Sequence, residues 1–560
     1  MITYTLNTSA NILKNAYDSF KTVSNLQLAQ LFVFLVPIYK LTYHYFYDPQ
    51  PGNLGHQVIQ KVANFDFDSW DTLNSNNVQI FTNLQYAFIG LLIVNLIHIM
   101  RYSVKKETYY NTLIGTSSFN YRAAEGDINL LSGTLLVPLV LSIKFLINQY
   151  ATESYYWLNL LTLSLLNSFL LLSNVTINTL KLDLTKKLSL WSIINLGLVV
   201  GLQYYSNESD MLTSLICLTI NQVLVYLTIT LFTKNFSLSE ASILSQFVSG
   251  LAFDYYQSYF NSSNYNLDVS EYFILIRAGL VFASIGVYST VGLRKIFKFK
   301  GSCALIFIAG IVCPWLFLIY PSIVQQLSQD PFNWLINYIL ESKPTQYIIV
   351  FWSLTILSSI IYINQQTKFN SLNLKRKFFH YLSCLMFIPI YSYNIEFLNL
   401  ALMVGVGFML IVEIYRLSYL PGYSTLNKFI NSFRDGKDIG EFVWAHVYLL
   451  LGCSLTIWLG ELGGLSGVIA LGLCDSTASI VGKSVGRTKW FGSKKSVEGS
   501  LVFMICCTIG MIYTCEAEFG NHASLVAKAS FYTALLEAVT IENDNLIIPL
   551  YLWVLLNLPN

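Results

Sequence analysis

Charge is what this sequence has least of. Asp, Glu, Lys and Arg make up 11% of its 560 residues, and the two signs nearly cancel to a formal +2. So sparse and balanced a set excludes a broad nucleic-acid-binding face, which needs clustered Lys and Arg against phosphates. The nine cysteines include no CxxC pair and no zinc-like spacing, and most lie within apolar runs, so they read as small buried side chains. The first 25 or so residues are polar, with no cleavage-like site after a short apolar core, so no removable signal peptide is expected. There is no fixed-period repeat, no low-complexity linker and no stretch that reads as a soluble domain.

What is present is apolar surface. Hydrophobic residues reach 54% and mean hydropathy is +0.53, more than a soluble chain of this size could hide. Runs long enough to cross about 30 Å of hydrocarbon recur from 26–47 to 544–557, and predict an all-α, polytopic integral membrane protein with about 15 to 17 transmembrane helices. Short basic segments at 101–106, 181–187, 294–300, 375–377, 428–437 and 483–495 are each separated by an even number of these runs. They therefore share one side, the cytosol by the positive-inside rule. Sequons at Asn207 and Asn261 fall in loops assigned to the other side.

Charge at bilayer depth costs several kcal/mol and is kept for partners or function. The dense cases all follow residue 370, which divides the chain into a multispanning region, 1–370, and a candidate catalytic membrane region, 371–560. Asp475 lies on a small-residue helix with Gly472, Ser479, Gly482 and Gly486 at near-helical spacing. The face reads either as helix packing through Gly482 and Gly486, or as a carboxylate that binds Mg²⁺ or takes a proton from an alcohol. A loop then brings Lys483, Arg487, Lys489, Lys494 and Lys495 together with Gly486, Gly492, Gly499, Ser493, Ser496 and Ser500, ahead of Glu498. Glycines let backbone N–H groups approach an anion, hydroxyls donate to it, and the cations offset the ~4 negative charges of a nucleoside triphosphate. Gly482-Lys483-Ser484 is no P-loop, because Thr477 stands where the motif needs glycine and a membrane helix where it needs a strand. A third segment carries Glu537, Glu542 and Asp544 in a turn that returns to the same side. Acidic ligands facing a cation cluster are what a metal–nucleotide complex requires.

Three groups of residues carry a resemblance: Asp475 to Lys483 with Gly486-Arg487-Thr488-Lys489-Trp490, Ser493 to Gly499, and Glu537-Ala538 with Asp544-Asn545-Leu546. Together they resemble the CTP-dependent lipid kinases, the dolichol kinase branch above all, and more loosely the diacylglycerol kinases, phytol kinases and phosphatidate cytidylyltransferases. Arg376, Lys377 and His380, Glu413 with Arg416, Asp435-Gly436, and His446 with Tyr448 and Gly452 also match the kinase branch. The resemblance covers about 370–557. Cys474 departs from it, preceding Asp475 where the family commonly has glycine. The cytidylyltransferase C-terminal signature is absent, and the small diacylglycerol kinases lack the long N-terminal region.

The resemblance implies transfer of the γ-phosphoryl group of CTP to the terminal hydroxyl of dolichol, with Mg²⁺ or another divalent cation, at the cytosolic face of the endoplasmic reticulum membrane. Its partners would be dolichol, CTP and the bilayer. Lys483, Gly486, Arg487, Lys489, Ser493, Lys494, Lys495, Ser496 and Gly499 would hold the triphosphate. Glu498, Glu537 and Asp544 would share the cation, with Asp475 nearest the alcohol as base or metal ligand, and His380, Arg376 and His446 would line the acceptor side. Two other classes compete: a transporter, which would place its charges in symmetric halves, and a scaffold subunit, which would tolerate loss of Asp475.

Overall fold

The computed structural model describes residues 25–47, 86–98, 122, 130–148, 154–179, a few positions between 186 and 197, 211–260, 271–298, 304–365, 372–432, 434, 439–490, 493–515, 519 and 522–558. The polar N-terminus, both sequons, the basic segments at 101–106 and most of 181–187, the candidate span at 188–206 for the most part, Asp435-Gly436 and Gly492 lie outside this set.

Every extended element among the described residues is helical. In chain order these are α1 (Asn25–Tyr47), α2 (Tyr86–His98), α3 (Leu131–Ile147), α4 (Ser154–Thr179), α5 (Met211–Leu231), α6 (Leu238–Phe260) and α7 (Glu271–Ile296). Then follow α8 (Ala304–Leu327), α9 (Pro331–Glu341), α10 (Lys343–Gln365), α11 (Leu372–Tyr393), α12 (Ile395–Leu417), α13 (Tyr423–Asn431) and α14 (Ala445–Leu459). The chain ends with α15 (466–484), α16 (Val497–Thr514), α17 (Ala523–Val539) and α18 (Asp544–Leu556).

This is a helical membrane protein. Seven helices among the described residues are long and apolar enough to cross a bilayer, the last three of them Lys343–Tyr362, Ile395–Leu417 and Val497–Thr514. Five further apolar helices are shorter, so these residues show fewer full-length spans than the 15 to 17 expected. The physical reason is visible in α18. At 13 residues it is about 20 Å long, short of the hydrocarbon thickness, and it is buried from Asn545 to Leu556. Protein rather than lipid surrounds it, so hydropathy read a core helix as a span.

α18 is the axis of the packing. It lies against α3, α14, α15 and α17, and Gly452 of α14 makes the approach possible, since a Cβ there would meet Asn545 O at 2.1 Å. Packing contacts cross position 370. Gln30 Nε2 donates to Val539 O at 2.5 Å, Tyr551 donates to Val33 O at 2.6 Å and Asn235 Nδ2 to Phe442 O at 2.5 Å. One apolar core runs from Val33 to Leu558.

Candidate functional site

A widened turn places Asp475. α15 begins as an ordinary helix at Ser466–Val468, opens into a π turn over Ile469–Asp475 and closes again at Ser476–Ser484. Such turns shift the register of side chains and backbone carbonyls, and recur at functional sites. Here Leu471 O accepts from His380 Nδ1 at 3.0 Å and from Ser476 Oγ at 3.3 Å. A carbonyl only accepts, so the proton of that imidazole edge sits on Nδ1. Gly472 lets α11 come this close: a Cβ there would meet Cys384 Sγ at 2.2 Å and His380 O at 2.9 Å. Cys474, the departure from the family pattern, points into the core and is fully buried.

The same contact between α11 and α15 carries an ion pair. Lys377 Nζ bonds Asp475 Oδ2, and both side chains are more than nine-tenths buried. His380 Nδ1 stands 3.8 Å from the same oxygen. Lys377 and His380 are three residues apart on α11 and so share a face, which makes Lys377 the site residue that the expected set lacked. Its signal was present, as a cation near His380 on an apolar helix, although a headgroup anchor reads the same way from sequence. Arg376 is close enough to act electrostatically on both His380 and His446.

A second lysine gathers the C-terminal acids. Lys495 Nζ bonds Glu537 Oε1 and lies 3.6 Å from Asp544 Oδ2. Burial alone would lower the lysine, but the carboxylates of Glu537, Asp544 and Asp475 outweigh it and hold the ammonium above its ordinary range. Asp475, Glu537, Asp544, Lys495, Lys377 and His380 thus form one electrostatic cluster built from α11, α15, the loop before α16, and the ends of α17 and α18. Asn543 fixes the start of α18, its side chain accepting from Asn545 N at 3.1 Å.

The loop between α15 and α16 is a tight hairpin. Lys489 and Ser496 form an antiparallel bridge, Val497 N donates to Thr488 O at 2.9 Å and Trp490 N to Lys495 O at 3.2 Å. Lys483, Arg487, Lys489 and Lys494 are exposed along it, a cationic rim outside the inward-turned Lys495.

Glu498, expected among the cation ligands, is engaged here with the backbone of the hairpin. Its Oε1 accepts from the backbone N–H groups of Arg487 and Thr488, each at 3.0 Å, so it holds the hairpin to the start of α16. The glycines also serve packing. A Cβ on Gly486 would meet Ser496 Oγ at 2.4 Å, and one on Gly499 would meet Ala478 O at 3.0 Å. Ser496 caps α16 by accepting from Gly499 N at 3.2 Å, and Ser493 Oγ accepts from Lys495 N at 3.2 Å. These hydroxyls and glycines shape the loop, and the exposed cations are what it presents.

Two other charged groups fall elsewhere. Arg416 donates to Glu413 Oε2 at 2.8 Å, to Asn427 and to Glu441 O, while Val443 N donates to Glu413 Oε1 at 2.6 Å. That buried pair fixes the entry to α14. Glu542 bonds Ser132 of α3, next to Asn543, whose N–H donates to Glu240 at 2.7 Å, and Glu240 pairs with Arg122. Of the three acids between 537 and 544, two face Lys495 and one belongs to this second cluster.

Among the described residues no three His, Cys, Asp or Glu side chains are grouped to hold a metal ion by themselves. Asp475, Glu537 and Asp544 nevertheless offer hard oxygen donors, the kind that suits a divalent cation arriving with phosphates, and in this arrangement lysines neutralise them.

A helical membrane protein with a buried lysine–carboxylate cluster beneath a cationic hairpin is thus the class that fold and site define. Within that class the chain is similar to dolichol kinases. It is 29% identical to the human dolichol kinase over 312 residues, covering 50% of this chain and 56% of that protein. It is 32% identical to dolichol kinase of Saccharomyces cerevisiae over 234 residues, 40% of this chain and 44% of the yeast protein. Against dolichol kinase sec59 of Schizosaccharomyces pombe it is 32% identical over 282 residues, 45% of this chain and 55% of the relative. The chain spans about half the length of the curated relatives it matches. No family model and no solved structure matches it.

Proposed function

We propose that the chain is a dolichol kinase, transferring the γ-phosphoryl group of CTP, bound with a divalent cation such as Mg²⁺, to the terminal hydroxyl of dolichol. The observation that carries this reading is the convergence of Asp475, Glu537 and Asp544 on Lys377 and Lys495 beneath exposed Lys483, Arg487, Lys489 and Lys494. Similarity to dolichol kinases over about half of each chain supports it.

Phosphoryl transfer asks for positioning and for charge placed around the transferred group. The hairpin cations meet the triphosphate. Asp475, Glu537 and Asp544 face the metal–nucleotide complex, and Lys495 is free to turn from them to a phosphate oxygen as the substrate enters. His380, with its Nδ1 proton committed to Leu471 O, presents Nε2 as an acceptor for the lipid hydroxyl, and Arg376 and His446 line that side. The reaction belongs at the cytosolic face of the endoplasmic reticulum, and dolichyl phosphate is its product.

The test is phosphate transfer by purified full-length protein, with γ-labelled CTP and ATP in parallel and dolichol and diacylglycerol as rival acceptors. Labelled dolichyl phosphate from CTP is expected. Label in diacylglycerol alone would move the chain to a phosphatidate-forming activity, and label in neither lipid would remove the kinase reading.

A further inference from the structure

Asp544 reaches the lysine–carboxylate cluster from the first turn of α18, so its place depends on how that helix begins. The start is held from far away in sequence. Asn543, the N-cap of α18, is buried, and a buried N–H must find an acceptor. It donates to Glu240 Oε1 at 2.7 Å, across 303 residues. Glu240 is fully buried in the first turn of α6, well before the stretch 370–557 that carries the resemblance.

Two devices aim that carboxylate. Ser237 and Glu240 form a capping box at the start of α6: Ser237 N–H donates to Glu240 Oε2, and Glu240 N–H donates to Ser237 Oγ, each at 3.1 Å. The box occupies Oε2 and leaves Oε1 to Asn543 and to the Arg122 guanidinium. Arg122 is itself fixed, its N–H donating to Phe236 O at 2.7 Å and its Nη1 to Asn235 O at 3.1 Å. Capping a helix requires neither a buried cation nor a backbone amide from another helix, and desolvating a buried ion pair is unfavourable. The second oxygen of Glu240 therefore serves the turn before α18 as well as α6.

We propose that Glu240 is a positioning residue for Asp544: it holds the Asn543 amide so that the next side chain meets Lys495 and the metal–nucleotide complex, and Arg122 holds Glu240. This role rests on the reading above in which Asp544 faces that complex, and it gives the region before residue 370 a task in the site. Groups that bind a cation must be kept within about 0.5 Å of their working geometry by the residues behind them. Loss of such support typically weakens metal binding by about 10- to 100-fold.

The test is Mn²⁺ binding by purified full-length protein in the presence of CTP, followed by the electron paramagnetic resonance of the ion, beside the Mg²⁺ dependence of dolichol phosphorylation. Glu240→Asp keeps the charge, and the flexible Arg122 side chain can follow it, but the oxygen draws back from the Asn543 amide by one methylene. It should weaken Mn²⁺ binding and raise half-saturating Mg²⁺, each roughly tenfold, with KM for dolichol unchanged. Ser237→Ala removes the other half of the capping box and leaves Oε1 in place, so it should lower the melting temperature and leave both metal readouts unchanged. In an Asp544→Asn background Glu240→Asp should add less than about twofold, because it acts through that carboxylate. In case Glu240→Asp fails to fold, Arg122→Met/Glu240→Met, which removes the charge pair and the acceptor together, should show the same weakening. Unchanged Mn²⁺ binding in a folded Glu240 variant, an equal shift in Ser237→Ala, or an undiminished shift in the Asp544→Asn background would each overturn the proposal. Mn²⁺ binding that depends on Glu240 in a protein that phosphorylates neither lipid would remove the kinase reading and leave this role standing.

Discussion

Lys377 and Asp475 lie 98 residues apart in sequence and form a buried ion pair between α11 and α15. Removing one partner of such a pair leaves an uncompensated buried charge and typically costs about 3 to 5 kcal/mol, whereas removing both is far milder. Lys377→Met should therefore lower the melting temperature sharply, and the double variant Lys377→Met/Asp475→Asn should regain most of the loss. Lipid phosphorylation should be lost in both. Activity in the stable double variant would sink the assignment of Asp475 to the site.

Lys495 tests the other half of the cluster. It is the bridge between Glu537 and Asp544, so Lys495→Ala should leave two neighbouring carboxylates repelling each other and reduce turnover by orders of magnitude. Lys494→Ala, one residue away and exposed, removes only a screened contact worth about 1 kcal/mol. It should raise KM for the nucleotide several-fold with kcat nearly unchanged, and that increase should shrink at high ionic strength. Equal loss of kcat in the two variants would contradict the division between inward and rim lysines.

Glu498 separates a loop-holding role from a metal-binding one. Since its carboxylate accepts from Arg487 and Thr488 N–H, Glu498→Gln should keep part of that anchoring and Glu498→Ala should lose it. The expected readout is a graded rise in nucleotide KM, with the dependence of rate on Mg²⁺ concentration unchanged. A shift of the Mg²⁺ dependence toward higher concentration would instead return Glu498 to the cation.

The membrane class was legible because hydropathy is additive along the chain, and so were Asp475, Lys495, Glu537 and Asp544, because charge in apolar sequence is conspicuous. Four things were not legible, for different reasons. The π turn at Ile469–Asp475 leaves no mark in periodicity over so few residues. The roles of Gly486, Gly499 and Glu498 depend on how closely α15 approaches α16, which spacing alone does not specify: the same glycines serve an anion or a neighbouring helix. The short α18 reads as a span because a helix buried by protein and one buried by lipid have the same composition. Lys377 was visible as a residue, but its partner lies 98 positions away.

Glu542, in the turn between α17 and α18 and outside the spanning segments, gives a pH-dependent prediction. Burial raises its carboxyl to about 7, with Glu240 pushing the same way and the hydroxyls of Ser132 and Ser239 and the charge of Arg122 pulling against it. A free glutamate titrates near 4.3, so between about 4.3 and 7 the folded chain holds a proton that the unfolded chain has lost. Its contribution to stability is therefore fullest below about 4.3 and declines as pH rises through 7. Glu542→Gln keeps a neutral side chain of the same size at every pH and escapes that decline. The melting temperature of the variant relative to the unaltered protein should rise between about pH 5 and pH 8.5, by the equivalent of about 1 to 3 kcal/mol, when followed by tryptophan fluorescence in detergent. A difference that stays constant across that range would mean that Arg122 keeps Glu542 ionised throughout, and that the second cluster is a plain ion network rather than a proton-holding one.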